Sequence, residues 1–316
     1  MKRRWLIIVL VAAAGLPSIF LSGQAQKPEP QGTLSLSGAW ALYPMAVKWQ
    51  EEFQRIYPKV RIDVQAGGAG KGIADVLSGA VDIGMVSRDI APEEEAKGAY
   101  WIAVTKDAVF PSVNEKNPVL ADLLAKGVTK EALTGIYITG EVTNWGQVVG
   151  RPEVTDAIHV YTRSDAAGAP DVWAKYLGKK QENLLGIGVT GDPGLAEAVV
   201  KDPLGIGYNN LNYAYDPASE KPVAGAVVAP LDADGDGVAS PDELLETKAE
   251  AVEAVKSGRY PSPPARLLNL VTNGKPSGAT LAFLRWVVGD GQKYLGEIGY
   301  VPLTPEQVAA AMDKLK

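Results

Sequence analysis

The sequence predicts an α/β protein built as two discontinuous lobes joined by a hinge, with a cleft between them. Strand and helix patterns alternate along the chain, glycine-rich or polar turns follow strands and open helices, and a late strand and helix return the chain to the first unit.

The first unit opens with Thr33-Leu-Ser-Leu-Ser37, which alternates like a strand. Pro44 suits a first helical position, so an amphipathic helix is expected from there to about Tyr57. Val60 to Val64 alternates again, and the glycine-rich run Gln65 to Gly72 opens directly into a short helix and then a buried strand reaching Ile90. First-turn amides lack intrahelical partners and the helix dipole is positive there, so such a loop can cradle an oxyanion. It is not a nucleotide P-loop, because Lys71 is followed by Gly72 rather than Ser or Thr. In sheets of this kind ligands sit beyond the carboxyl ends of the strands, where Ser37-Gly38 and Gly67 to Gly72 fall.

Trp101 to Thr105 and Ala108 to Phe110 read as strands crossing to a second unit, followed by a helix from about Val119. Thr155 to Thr162 is its clearest strand; it ends in Arg163-Ser-Asp-Ala-Ala-Gly168 before a helix from Pro170 to Leu177. Pro261-Ser-Pro-Pro264, a strand Ala265 to Val271 and a helix Ser277 to Val288 bring the chain back. The expected division is residues 32–107 with 271–316 as the first lobe and residues 108–270 as the second, with an insertion at 230–258.

The 316 residues are 46% hydrophobic and 22% charged, which is the composition of a globular protein large enough for two such lobes. Met1-Lys-Arg-Arg ahead of the apolar run Trp5 to Leu16 has the layout of a secretory signal, so residues 1–25 are expected to be a signal peptide cleaved after Ala25. That implies a periplasmic or extracellular protein, the alternative being an uncleaved segment that anchors it to the membrane. Gln24 stands where a lipid-bearing Cys would be, which excludes a lipid anchor. The chain has no cysteine, so stability must come from core burial and any bound metal. Its net charge of −6 argues against nucleic acid and means that an anion would be held by local amides and selected cations.

Ser37-Gly-Ala-Trp-Ala-Leu-Tyr-Pro44, Gly67 to Gly72, Val81-Asp-Ile-Gly84 with Ser87-Arg-Asp-Ile90, Asn117-Pro118, Trp145-Gly146, Arg163-Ser-Asp165, Gly205-Ile-Gly-Tyr208 and Gly299-Tyr-Val-Pro302 follow one another in characteristic order and spacing. In these segments the chain resembles the phosphate-type periplasmic binding proteins of bacterial ABC transporters, over nearly all of residues 32–316. The resemblance implies a type II periplasmic-binding-protein clamshell that grips a small anion between its lobes and delivers it to an ABC transporter permease. It places ligand contacts at Gly38, Ala39 and Trp40, at Gly68, Ala69 and Gly70, at Ser87, and at Arg163, Asp165, Ala167, Gly168 and Ala169. Arg163 stands where the family has its charged anion partner, and Asp165 where it has that arginine's supporting carboxylate. Ala39 or Trp40, Ala69, Ala167 and Ala169 stand where members usually carry Ser or Thr, and Ser87 near a position at which some use Asp. Each hydrogen bond to a charged group contributes about 1.5–3 kcal/mol, so the lost hydroxyls alter the pocket substantially. Without the resemblance, Arg163 and Asp165 also read as a pair fixing a turn, and Trp40 as lobe packing.

Asp232-Ala-Asp-Gly-Asp-Gly-Val-Ala-Ser-Pro-Asp-Glu243 fits a calcium loop, with Asp232, Asp234, Asp236, the Val238 carbonyl, a water near Ser240, and Glu243 as the expected ligand set. A structural Ca2+ is therefore expected, with an exiting helix from Pro241 to about Ser257 and a strand-like entering segment, Pro222 to Pro230. His159 is the only histidine and is expected to pack within an apolar strand, which excludes histidine clusters and histidine-based triads. No catalytic residue is assigned. The reading is an exported binding protein, expected to be monomeric, for phosphate or another small oxyanion. Its alternatives are an organic-acid binder or a scaffold or adhesion protein on the same fold.

Overall fold

The computed structural model describes residues 29–316, and the expected signal segment lies outside them. Two five-stranded sheets form the two lobes. In lobe 1, β1 (Gly32–Gly38), β2 (Val60–Ala66), β3 (Ile83–Val86) and β4 (Ala99–Asp107) are joined by the last strand, β12 (Arg266–Asn273), in the order β2-β1-β3-β12-β4. β1 runs parallel to β2 and β3, whereas β12 is antiparallel to both its neighbours. The helices Tyr43–Ile56 and Gly278–Val288 cover this sheet, burying Trp49, Phe53 and Phe283 in one core.

Lobe 2 takes up β5 (Val109–Asn114), β7 (His159–Arg163), β8 (Ile187–Val189), β9 (Gly205–Asn210) and β10 (Ala226–Val228), ordered β10-β5-β9-β7-β8. A small separate pair, β6 (Val128–Thr129) and β11 (Leu231–Asp232), ties the expected calcium loop to the body of this lobe. Its core is aromatic: Trp173 stacks on Tyr208 with ring centroids 5.4 Å apart, and Tyr137 meets both rings edge-on.

Several expectations shift. The chain re-enters the first sheet at Arg266 rather than at 271, because β12 pairs with β4 from its first residue, Arg266 opposite Asp107. The seventh strand begins only at His159; residues 155–158 instead form an irregular stretch bridged to Asn144 through Ala157. The helix expected from Pro241 begins at Lys248, where Thr247 caps it by accepting the Glu250 amide and Glu250 returns the bond. His159 is not packed. Its ring is 47% exposed and Nδ1 lies 2.7 Å from Asp202, so it is half of a surface pair.

The lobes connect at two adjacent points, Asp107-Ala108 going out and Arg266 coming back. Asp107 is buried, its Oδ1 accepting the amides of Ala108 and Leu211, and its Oδ2 lies 3.5 Å from Arg266 Nη1. Burial pushes the Asp107 carboxyl up to about 6, with Arg266 opposing.

Candidate functional site

The site lies where strand ends from both lobes give way to helix starts. From lobe 1, β1 ends at Gly38, and a single 3-10 turn, Trp40–Leu42, leads into the first long helix. Gly38 does not line the cleft. Its carbonyl accepts the Gly67 and Gly68 amides at 2.8 and 3.0 Å, which fastens the glycine-rich loop to the end of β1, while the Ala39 amide is used on Met85 O. The helix Ala69–Leu77 starts immediately after Gly68, whose φ of 90° and 2.8 Å approach of a would-be Cβ to Ala166 O leave room for glycine alone. From lobe 2, β7 ends at Arg163, and the helix Gly168–Tyr176 begins five residues later with Ala167 as its cap.

These starts meet face to face. The Gly70 amide crosses the cleft to donate to Ala166 O at 2.9 Å, and Gly168 is pressed on Ser87, where a Cβ would come within 2.1 Å of the hydroxyl oxygen. Trp40, Gly68, Ala69, Ser87, Arg163, Ala167, Gly168 and Ala169 line one common space, whereas Gly38, Ala39, Gly70 and Asp165 do not. The space is too narrow for a water-sized sphere, so the lobes are shut on one another. Ala69, Gly168 and Ala169 occupy first-turn positions, whose N–H groups have no partner within the helix. Trp40 leans across onto Gly191 of lobe 2, its indole Nε1 buried without a hydrogen-bond partner.

Arg163 is the charged centre of the site, and each of its three guanidinium nitrogens donates to a carboxylate. Nε and Nη2 donate to the two Asp165 oxygens at 2.7 and 2.5 Å, and Nη1 donates to Asp192 Oδ2 at 2.5 Å. Burial works against the arginine's charge, but Asp192 and Asp165 outweigh it and hold the guanidinium well above its ordinary pKa. Burial likewise opposes the charge on Asp165, and the Arg163 hydrogen bond overcomes it, lowering that carboxyl below the usual range. Tyr208 fixes the strand end beneath, its hydroxyl 2.6 Å from Thr162 Oγ1 and accepting the Arg163 amide at 3.3 Å.

Ala41, Asp192 and Asn210 also line the space, and sequence reasoning passed over all three. Asp192 is wholly buried at the start of the helix Gly191–Lys201, where its Oδ1 accepts the side chain and the amide of Asn210 at 2.6 and 3.3 Å. A signal was present: Val189-Thr-Gly-Asp192 repeats the strand, polar turn and helix design of the other loops. Arg266 reaches in from the hinge, donating to Asn210 Oδ1 and, at 3.2 Å, to Ser87 O.

The calcium-type loop lies elsewhere on lobe 2. Carboxylate oxygens of Asp232, Asp234 and Asp236 converge within 4.8 Å of one another. Glu243 lies outside that group. It folds over the loop, accepting Ala233 N at 2.7 Å and Ser240 N at 3.0 Å, while Val238 is exposed. Among the described residues no helix is long and apolar enough to cross a membrane.

Comparison with known proteins agrees with this architecture. A PBP superfamily domain matches residues 23–291. The phosphate-binding protein PstS of Bacillus subtilis is 27% identical over 322 aligned residues, covering 98% of this chain and 97% of that protein. A Clostridium perfringens substrate-binding protein solved with bound phosphate superposes with a TM-score of 0.70 at 23% identity, covering 86% of this chain and all of the other. An ABC-type phosphate transport receptor from Vibrio cholerae gives a TM-score of 0.62 at 18% identity, over 85% of this chain and 100% of the other. With two lobes hinged at Asp107 and Arg266 and a domain match over most of its length, this chain belongs to the PBP superfamily.

Proposed function

We propose that the chain is the exported solute-binding component of a phosphate-type ABC importer, which captures a small oxyanion between its lobes and presents it to a membrane permease. The observation that carries this reading is the convergence of helix starts from both lobes, around Ala69 and around Gly168 and Ala169, on one closed space that also holds Ser87 and Arg163. Anions are favoured at such ends because the unpaired amides and the helix dipole act together. The names of the relatives, phosphate-binding proteins and transport receptors, point to binding rather than catalysis. Admitting an anion would require the cleft to open, because the space between the lobes does not take a water-sized sphere. Export by residues 1–25 follows from the leader's sequence.

Calorimetry of residues 26–316 against phosphate, sulfate, molybdate and small carboxylates tests the reading, with Gly168→Ala as the control that obstructs closure. Saturable heat with one oxyanion, lost in the variant, supports it; no heat with any of them rejects it.

The shut cleft and the internally paired Arg163 favour one second reading, a scaffold or adhesion protein on the same fold that has ceased to bind solute. It predicts no saturable heat and an unchanged shape on adding anions.

We also propose a structural Ca2+ in the loop from Asp232 to Glu243. The three converging Asp carboxylates fit a hard cation, and Glu243 lies at the end of the loop, where it can turn toward the metal. The ion would staple the insertion to lobe 2 where disulfides are absent.

A further inference from the structure

The guanidinium that should draw an anion into the cleft already has its anions. Arg163 is gripped along its Nε/Nη2 edge by Asp165 and through Nη1 by Asp192, and the side chains of Arg163 and Asp192 are both 0% exposed. One positive group against two carboxylates leaves this cluster with a formal charge of −1. The other buried arginine nearby, Arg266, faces Asp107 at 3.5 Å and supplies no surplus. An incoming anion is therefore attracted by first-turn amides and repelled by the side-chain cluster beside them.

Asp192 creates that imbalance. Asp165 alone would leave Arg163 neutralised once; Asp192 adds the second charge and is locked in place by Asn210 from β9 and by its own helix start, Gly191, which packs on Trp40. The carboxylate is thus carried by lobe 2 into the cleft and remains there when the lobes shut. Repulsion from one fixed charge doubles when the ligand's charge doubles, and in a closed, water-poor cleft dissolved salt screens little of it.

We propose that Asp192 is a built-in counter-ion to Arg163 that sets the selectivity of the seat, weakening its hold on doubly charged oxyanions and favouring singly charged ones. This rests on the binding reading above.

Asp192→Asn tests it, because the amide keeps the shape and removes one charge. Wild type and variant are titrated calorimetrically with sulfate, phosphate and nitrate at one pH and ionic strength. The variant is expected to bind sulfate at least about tenfold more tightly than wild type, or to bind it where wild type does not, with a smaller gain for nitrate. Unchanged or weaker sulfate binding in the folded variant overturns the proposal. If wild type binds phosphate in that case, the counter-ion role alone falls; if neither protein binds any of the three, it falls together with the binding reading. Should circular dichroism show Asp192→Asn to be unfolded, Asp192→Ser carries the same expectation and the same refutation.

Discussion

At the guanidinium of Arg163, sequence and structure say different things about one side chain. The Arg163-Ser-Asp165 spacing announced a pair, and a bidentate pair is present, but the partner 29 residues on was hidden. The turn carrying Asp192 left a local trace, but its pairing with Arg163 did not, because that contact is made by sheet topology: β7 and β9 are parallel neighbours, and both Arg163 and Asn210 reach Asp192 from their ends. Removing one partner of a buried ionic cluster strands the others, so Arg163→Gln should cost about 3–5 kcal/mol of stability, read from urea denaturation. A variant as stable as wild type would mean that the two carboxylates are not held apart from water. Asp165 also sets an acid limit. Its folded-state value is depressed, so its contribution is present above about pH 4 and lost as pH falls through the folded value. Asp165→Asn should therefore flatten the fall in melting temperature on acidification, and an unchanged slope would remove Asp165 from that role.

Elements were legible where their local signals agreed with the tertiary outcome. The helix Tyr43–Ile56 announced itself by Pro44 and its apolar stripe, and the helix Ala69–Leu77 by the glycines before it. The exit from the calcium-type loop was not, because the acidic run Pro241 to Glu246 looks helical while the cap that begins the helix is Thr247 with Glu250, several residues later. His159 misled for a related reason: apolar neighbours suggested a buried strand, but it lies at the first position of β7, where the side chain turns outward to Asp202. At this scale the calcium proposal is testable by melting. A bound ion at about a hundred times its dissociation constant contributes about 2.7 kcal/mol, so chelation should lower the wild-type midpoint by about 5–10 °C. Glu243→Gln should show little of that shift; equal shifts in both proteins would reject the loop as the metal's home.

Across the whole molecule, the two-lobe plan could be read from the return of a late strand, but the mixed sheets could not, since β12 and β5 run against their neighbours through pairings far apart in sequence. Closure depends on how nearly backbone approaches backbone. Gly168 lies so close to Ser87 that one added methyl group collides with its hydroxyl and carbonyl oxygens, at 2.1 and 2.3 Å. Gly168→Ala should hold the lobes apart, weakening oxyanion binding by about a hundredfold or more and enlarging the radius of gyration in small-angle scattering, with the melting temperature little changed. Tight binding by a compact Gly168→Ala protein would show that the cleft shuts in some other way.

The placement of β12 has a further consequence, for the order in which the protein can be made. It lies between β3 and β4, so the sheet of lobe 1 stays split until residues beyond Arg266 have emerged, whereas every strand of lobe 2 is already in hand. Leaving and rejoining its host at neighbouring residues, lobe 2 is a self-contained cassette that can collapse first, and the host sheet is sewn together by a strand that arrives after all of lobe 2.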